Sequence, residues 1–168
     1  MKLYRDTLTN NEIITTAYKK EELRDGSIWK IESNLIDKDD DSGMKAPDLV
    51  INYSLNSINY SKKELKAIFK GYFVALKNFL QEKMKENENR ESELKKFKEM
   101  FGNLKADYKK VGGFFQEEIL PEFDDFEFFV TTEGLDQTAP FVIFSKYEDG
   151  KTAPSFYFIR CGLTEEKC

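Results

Sequence analysis

Hydrophobic positions change their spacing twice along this chain, and the two changes divide it into three parts. Up to about residue 60, short runs of β-branched and aromatic residues sit between Gly, Pro and Asp signals. Such runs suit a half-buried pleated surface, and they predict strands over 2–5, 27–32 and 49–55. At Ser61-Lys62-Lys63-Glu64 the period lengthens. This tetrad is a capping box, in which the serine oxygen takes an orphan amide at a helix start and the glutamate reaches back to the serine amide.

Leu65, Ile68, Phe69, Tyr72, Phe73, Leu76, Phe79 and Leu80 follow at steps of three and four, forming one apolar stripe among lysines. The polar stretch 85–90 interrupts it. Leu94, Phe97, Phe101, Leu104, Tyr108 and Val111 then resume the helical spacing and predict a second helix folded back on the first. Gly112-Gly113 is expected to interrupt or kink that helix, with 114–120 continuing it to Pro121. From Phe126 the period returns to that of strands, over 126–132, 141–147 and 155–160. Glu148-Asp149-Gly150-Lys151 supplies a hairpin turn between the last two. Strands, a helical hairpin and strands again give an α+β class, one domain spanning 1–168, with a β body (1–60 and 121–168) and a helical hairpin at 61–120.

Charge sharpens this division. Residues 61–110 hold fourteen Lys and Arg against eight Asp and Glu, a net of +6, whereas the remainder carries −11. A segregated positive element can steer an acidic partner, within the ~10 Å over which salt leaves the field unscreened. Lys95, Lys96 and Lys98, near the hairpin tip, are the candidate contacts for an acidic surface.

Composition removes several chemistries. Fifteen Phe and eight Tyr argue for a folded chain, and there is no histidine. A Ser-His or Cys-His nucleophile pair is therefore excluded, and Cys161 and Cys168 cannot build a Cys₄ or Cys₂His₂ zinc site. The two cysteines read as incidental thiols in a reducing compartment, with a redox role the alternative. No phosphate-binding Gly-Lys-Ser/Thr loop is present. The acids Asp124, Asp125 and Glu127 read as solvated, and Phe126, Phe128 and Phe129 as core, because no basic residue interleaves them. No enzyme, nucleic-acid or membrane role is expected. The loop Asp37-Lys38-Asp39-Asp40-Asp41-Ser42-Gly43 concentrates oxygen ligands, making Asp37, Asp39 and Asp41 candidates for weak calcium binding. It is not an EF-hand, since Gly43 falls one place late and Asp48 stands where the twelfth-position Glu belongs.

Several stretches together resemble the translationally controlled tumour protein family. They are Tyr4-Arg5-Asp6 with Asn11-Glu12, Asp48-Leu49-Val50-Ile51-Asn52 with the helix from Ser61, the run Ile119 to Phe129, Tyr147-Glu148-Asp149-Gly150, and Gly162 to Cys168. The resemblance implies a zinc-free β-tent (Mss4-like) body related to small-GTPase chaperones, from which the antiparallel helical hairpin projects. It also implies a mainly monomeric, cytoplasmic, multifunctional binding protein, microtubule-associated and weakly calcium-binding, linked to growth and survival and secreted in some settings without a signal peptide. Its partners would be tubulin or other acidic surfaces, a Ras-like GTPase and a translation elongation factor. Glu12 matches the family's GTPase-contacting glutamate, and Cys168 its terminal cysteine, a candidate for an intermolecular disulfide. The chain departs from the family where Val130-Thr131-Thr132-Glu133 replaces a Gly-Glu step, where the long loop shrinks to 37–47, and where 84–105 extends the hairpin.

Overall fold

The computed structural model describes residues 1–38 and 40–167; Asp39 and Cys168, and the site readings that fall on them, lie outside the described residues. A six-stranded antiparallel sheet forms the body. It runs in the order β3 (Glu21–Leu23), β4 (Ile28–Glu32), β10 (Ser155–Ile159), β9 (Ile143–Lys146), β8 (Phe126–Val130) and β7 (Asn56–Ile58). A three-stranded sheet places β1 (Lys2–Asp6) between β2 (Glu12–Thr15) and β11 (Leu163–Lys167), and β5 (Leu35–Asp37) pairs β6 (Lys45–Pro47) as a separate ribbon.

β10 lies inside the large sheet and is buried along its whole length, which is why its sequence reads as a continuous apolar run rather than an alternating one. Side chains of a strand alternate between faces, and each face of this sheet has its own cover. On one, Tyr157 and Phe144 meet Phe114 and Phe115 from the helical segment, at ring separations of 5.6 and 6.4 Å. On the other, where Phe156 and Phe129 of the sheet lie side by side, Trp29 meets Tyr4 of the small sheet edge-on at 4.7 Å. Phe126, Phe128 and Phe129 are all buried, as expected of a core run.

The hairpin consists of α2 (Lys62–Glu86) and α3 (Glu91–Phe114) and protrudes from the body. α2 starts where the capping box places it: Glu64 N donates to Ser61 Oγ at 3.1 Å, and Ser61 N to Glu64 Oε1 at 2.9 Å. At its base the hairpin is tied down by charge. Arg24 pairs with Glu117 and Glu118, Asp25 with Lys110, and Arg160 with Asp107. Gly26, in the turn between β3 and β4, makes room for the last of these. Its φ of +84° favours glycine, and a Cβ there would come within 2.7 Å of Arg160 Nη1.

Three expectations from the sequence need correction. Residues 49–55 do not form a strand: 48–52 make a short helix, α1 (Asp48–Asn52), and the chain reverses at Ser54, φ +51°, before β7 begins. Pro47 ends β6, and the Asp48 carboxylate accepts the amides of Leu49 (2.9 Å) and Asn34 (3.1 Å), so local hydrogen bonding overrides the β preference of Val50 and Ile51. Gly112-Gly113 does not interrupt α3, which passes through both glycines to Phe114. A π-turn over Phe115–Ile119 follows, with Leu120 N donating to Phe115 O at 3.0 Å, and this wider turn lets Phe114, Phe115 and Ile119 all enter the core. The third correction is the phase of α3. Its buried face is Leu104, Asp107, Val111 and Phe114, whereas Tyr108 is 51% exposed.

Candidate protein-binding surfaces

An amphipathic helix that buries one stripe must present the other to water, and on this hairpin the outward face is rich in lysine. Lys95, Lys96 and Lys98 are all exposed in the second turn of α3, with half-buried Phe97 between them. Among the described residues, Lys95 and Lys98 have no acidic partner, and Lys96 Nζ lies 5.5 Å from the centre of the Phe97 ring. Elsewhere on α2 and α3, Lys83 pairs with Glu86 and Lys110 with Asp25. Unpaired ammonium groups on a protruding element keep their field available to a partner.

Between the two helices lies a groove of about 410 Å³. Phe73 and Leu104 are buried beneath it, while half-exposed Val74 and Tyr108 line its sides. Lys70, Lys77 and Lys105 also border it. Sequence spacing assigned Tyr108 to the helix–helix seam and so missed this surface. The available signal was Asp107, whose position three residues after Leu104 and four before Val111 marks the buried stripe.

A second groove, of about 450 Å³, opens between α3 and the small sheet, with Lys96 and Met100 on one side and Tyr4 and Trp29 on the other. Lys2 and Glu165 neutralise one another there at 2.6 Å. On the far side, Lys20 Nζ sits 3.6 Å from the Trp29 ring centre and caps the indole.

Glu12 is exposed on β2, an edge strand of the small sheet, and stands opposite Arg5 in the β1–β2 register. Arg5 turns its Nε to Glu166 at 2.6 Å and its Nη1 to the Asn10 carbonyl at 3.0 Å. Behind this edge, Tyr72 rises from α2 to place its hydroxyl 3.1 Å from Asp6 Oδ1, to which it donates. Burial raises the Asp6 carboxyl above the ordinary aspartate value, although Thr9, Leu8 and Tyr72 hydrogen-bond its charged form. Burial, followed by the Asp6 charge, raises the Tyr72 phenol well above its usual value. Gly162 accommodates the crossing, since a Cβ there would fall 2.4 Å from the Tyr72 oxygen.

The described residues of the acidic loop are exposed. Asp37 faces Lys45 across the β5–β6 ribbon, and Asp41 adopts a φ of +56°. Asp40 accepts the Ser42 amide at 3.1 Å, and its carboxyl is lowered by hydrogen bonds from the Ser42 side chain and amide. Among the described residues, no three Asp, Glu or Cys side chains converge as a metal site would require. Cys161 is buried, and burial pushes its thiol up to about 12, with the Asp107 charge adding to the rise. Asp124, Asp125 and Glu127 are exposed, as solvated acids would be. No helix among the described residues is long and apolar enough to cross a membrane.

A family model described as translationally controlled tumour protein matches residues 37–164. A translationally-controlled tumor protein homolog of Gibberella zeae is 29% identical over 186 aligned residues, covering 99% of each chain. One from Plasmodium chabaudi chabaudi is 30% identical over 190, again covering 99% of each. Because both alignments are longer than the 168 residues here, these relatives carry segments that this chain lacks. Among solved structures, the translationally controlled tumor-associated protein of Schizosaccharomyces pombe superposes with a TM-score of 0.75 at 20% identity, covering all of both chains. The translationally-controlled tumor protein of Caenorhabditis elegans gives 0.61 at 17%, covering 100% of this chain and 99% of that one.

Proposed function

Because the chain belongs to the translationally controlled tumour protein family, we propose that it is a non-catalytic cytoplasmic binding protein whose lysine-rich hairpin docks on acidic protein surfaces, the carboxylate-rich tails of tubulin among them. One observation carries this reading. The +6 hairpin exposes Lys95, Lys96 and Lys98 near its tip without an acidic partner among the described residues, while the body bears the opposite charge. Attraction of this kind acts mainly on encounter and orientation and weakens as salt shortens its range. The test is cosedimentation with polymerised microtubules over a salt series, comparing the parent with the combined Lys95→Glu, Lys96→Glu, Lys98→Glu variant. Binding that declines with salt and disappears in the variant supports the proposal. Equal binding by the two proteins overturns it.

A second reading makes the protein a regulator of nucleotide exchange on a Ras-like GTPase or a translation elongation factor. It is favoured by the position of Glu12, exposed on an edge strand at the end of the body formed by the small sheet. Calcium enters the proposal only as a loosely held ion at Asp37, Asp39 and Asp41. A site built from these carboxylates alone would bind it at the weak, ~10⁻⁴–10⁻³ M end of the known range.

A further inference from the structure

Val74 and Tyr108 are the exposed large apolar side chains of α2 and α3 among the described residues, 50% and 51% accessible, and both line the same groove. They come from different helices, so the patch exists only once the hairpin has closed. Beneath it, the Phe73 ring meets Tyr108 edge-on at 5.2 Å, which holds the phenol to one side and leaves the groove open. The groove is bordered by Lys70, Lys77 and Lys105 and by no acidic residue. Among the described residues none of these lysines has an ion-pair partner, and Lys105 lies 4.8 Å from the Phe101 ring centre. An apolar floor with an unneutralised cationic rim complements one kind of occupant: a segment that offers large apolar side chains on one face and carboxylates beside them.

We propose that this groove is a docking site for an acidic amphipathic helix of a partner protein. The helix would set apolar anchors at i, i+3 and i+7 between Val74 and Tyr108, with its carboxylates against the three lysines. The proposal rests on the reading of the hairpin as the binding element and adds to it a place and a requirement for apolar contact. A surface that recognised acidic tails by charge alone would need no exposed valine and tyrosine between its lysines. The site is also distinct from Lys95, Lys96 and Lys98, none of which lines it.

Two fluorescein-labelled 16-residue peptides of equal negative charge test it. One carries leucine at i, i+3 and i+7 among glutamate and alanine; in the other the leucines are serine. Fluorescence anisotropy on the full chain should show the leucine peptide binding at least ~10-fold tighter, the preference expected when one large apolar side chain is buried. Val74→Glu should abolish the preference, and Val74→Ser, a milder change at a half-exposed position, should reduce it. The Lys95→Glu, Lys96→Glu, Lys98→Glu variant should retain it. Equal affinity of the parent for both peptides overturns the groove proposal while leaving charge-based docking standing, whereas failure of both peptides to bind at low salt counts against both readings. Concentration-dependent self-association in sedimentation, lost on Val74→Glu, would give the groove to a second copy of this chain and overturn the proposal.

Discussion

Arg160, one residue beyond the end of β10, holds Asp107, on the buried face of α3, through two nitrogens: Nη2 lies 2.7 Å from Oδ1 and Nε 3.1 Å from Oδ2. The carboxylate is 1% exposed and the guanidinium side 36%, so the two partners differ in what is lost when the other is removed. Arg160→Met strands a carboxylate with no route to water and should cost ~3–5 kcal/mol. Asp107→Asn keeps a hydrogen-bond acceptor and leaves an arginine that can reach solvent, so a smaller loss of ~1–2 kcal/mol is expected. Urea unfolding at constant m-value measures both; equal losses would show that the pair does not act through burial of Asp107.

Asp6 should leave a signature in the pH dependence of stability. Its carboxyl is raised by burial, so the folded chain binds the proton more readily than the unfolded one. The resulting stabilisation is fully present below the unfolded value, near ~4, and is lost as pH rises through the folded value. Glu64 and Glu148, both lowered by hydrogen bonds, slope the other way in the parent, and a difference curve removes them. Stability of Asp6→Asn relative to the parent should therefore increase as pH rises over that window, in urea unfolding at a series of pH values. A flat difference curve would refute it.

Ser61→Ala removes the oxygen that accepts the Glu64 amide and should destabilise the chain by about 1 kcal/mol. Ser61→Asp, which keeps an acceptor at the positive end of the helix dipole, should restore most of the loss. Thermal unfolding followed by circular dichroism compares the three proteins.

If the protein accelerates nucleotide release from a Ras-like GTPase, Glu12→Val should remove most of that acceleration without changing the unfolding midpoint, because Glu12 is exposed. Release of a fluorescent guanine nucleotide is the measurement. No acceleration by the parent rejects the exchange reading outright.

Cys161 should be inert in the native state, since its thiol is buried and pushed up to about 12, leaving almost no thiolate at neutral pH. In a Cys168→Ser chain at pH 8, iodoacetamide should label Cys161 fully in urea and negligibly without it. Rapid native labelling would reopen a redox role.

Much of this architecture is local in origin and could be read directly. The Ser61–Glu64 box and the three-and-four spacing of α2 hydrogen-bond within their own segment, and the apolar runs of β4, β8 and β10 declare their burial in their own composition, so short-range pattern is enough to place them. The family likeness is legible for a similar reason, being carried by short stretches in order along the chain. What the pattern could not supply are relationships between distant segments. Residues 49–55 have the composition of a strand, yet the Asp48 carboxylate and its bond to the Asn34 amide make 48–52 a helix. Tyr108 fits the helical spacing as well as Asp107 does, and only the position of Arg160, fifty-three residues on, decides that the acid turns inward and the aromatic outward. The hairpin and its charge were thus determined by the sequence alone, but the groove between Val74 and Tyr108 was decided by tertiary structure, because it depends on how two helices are rotated against one another. That rotation is set by ion pairs and ring contacts to the body, which no single segment contains.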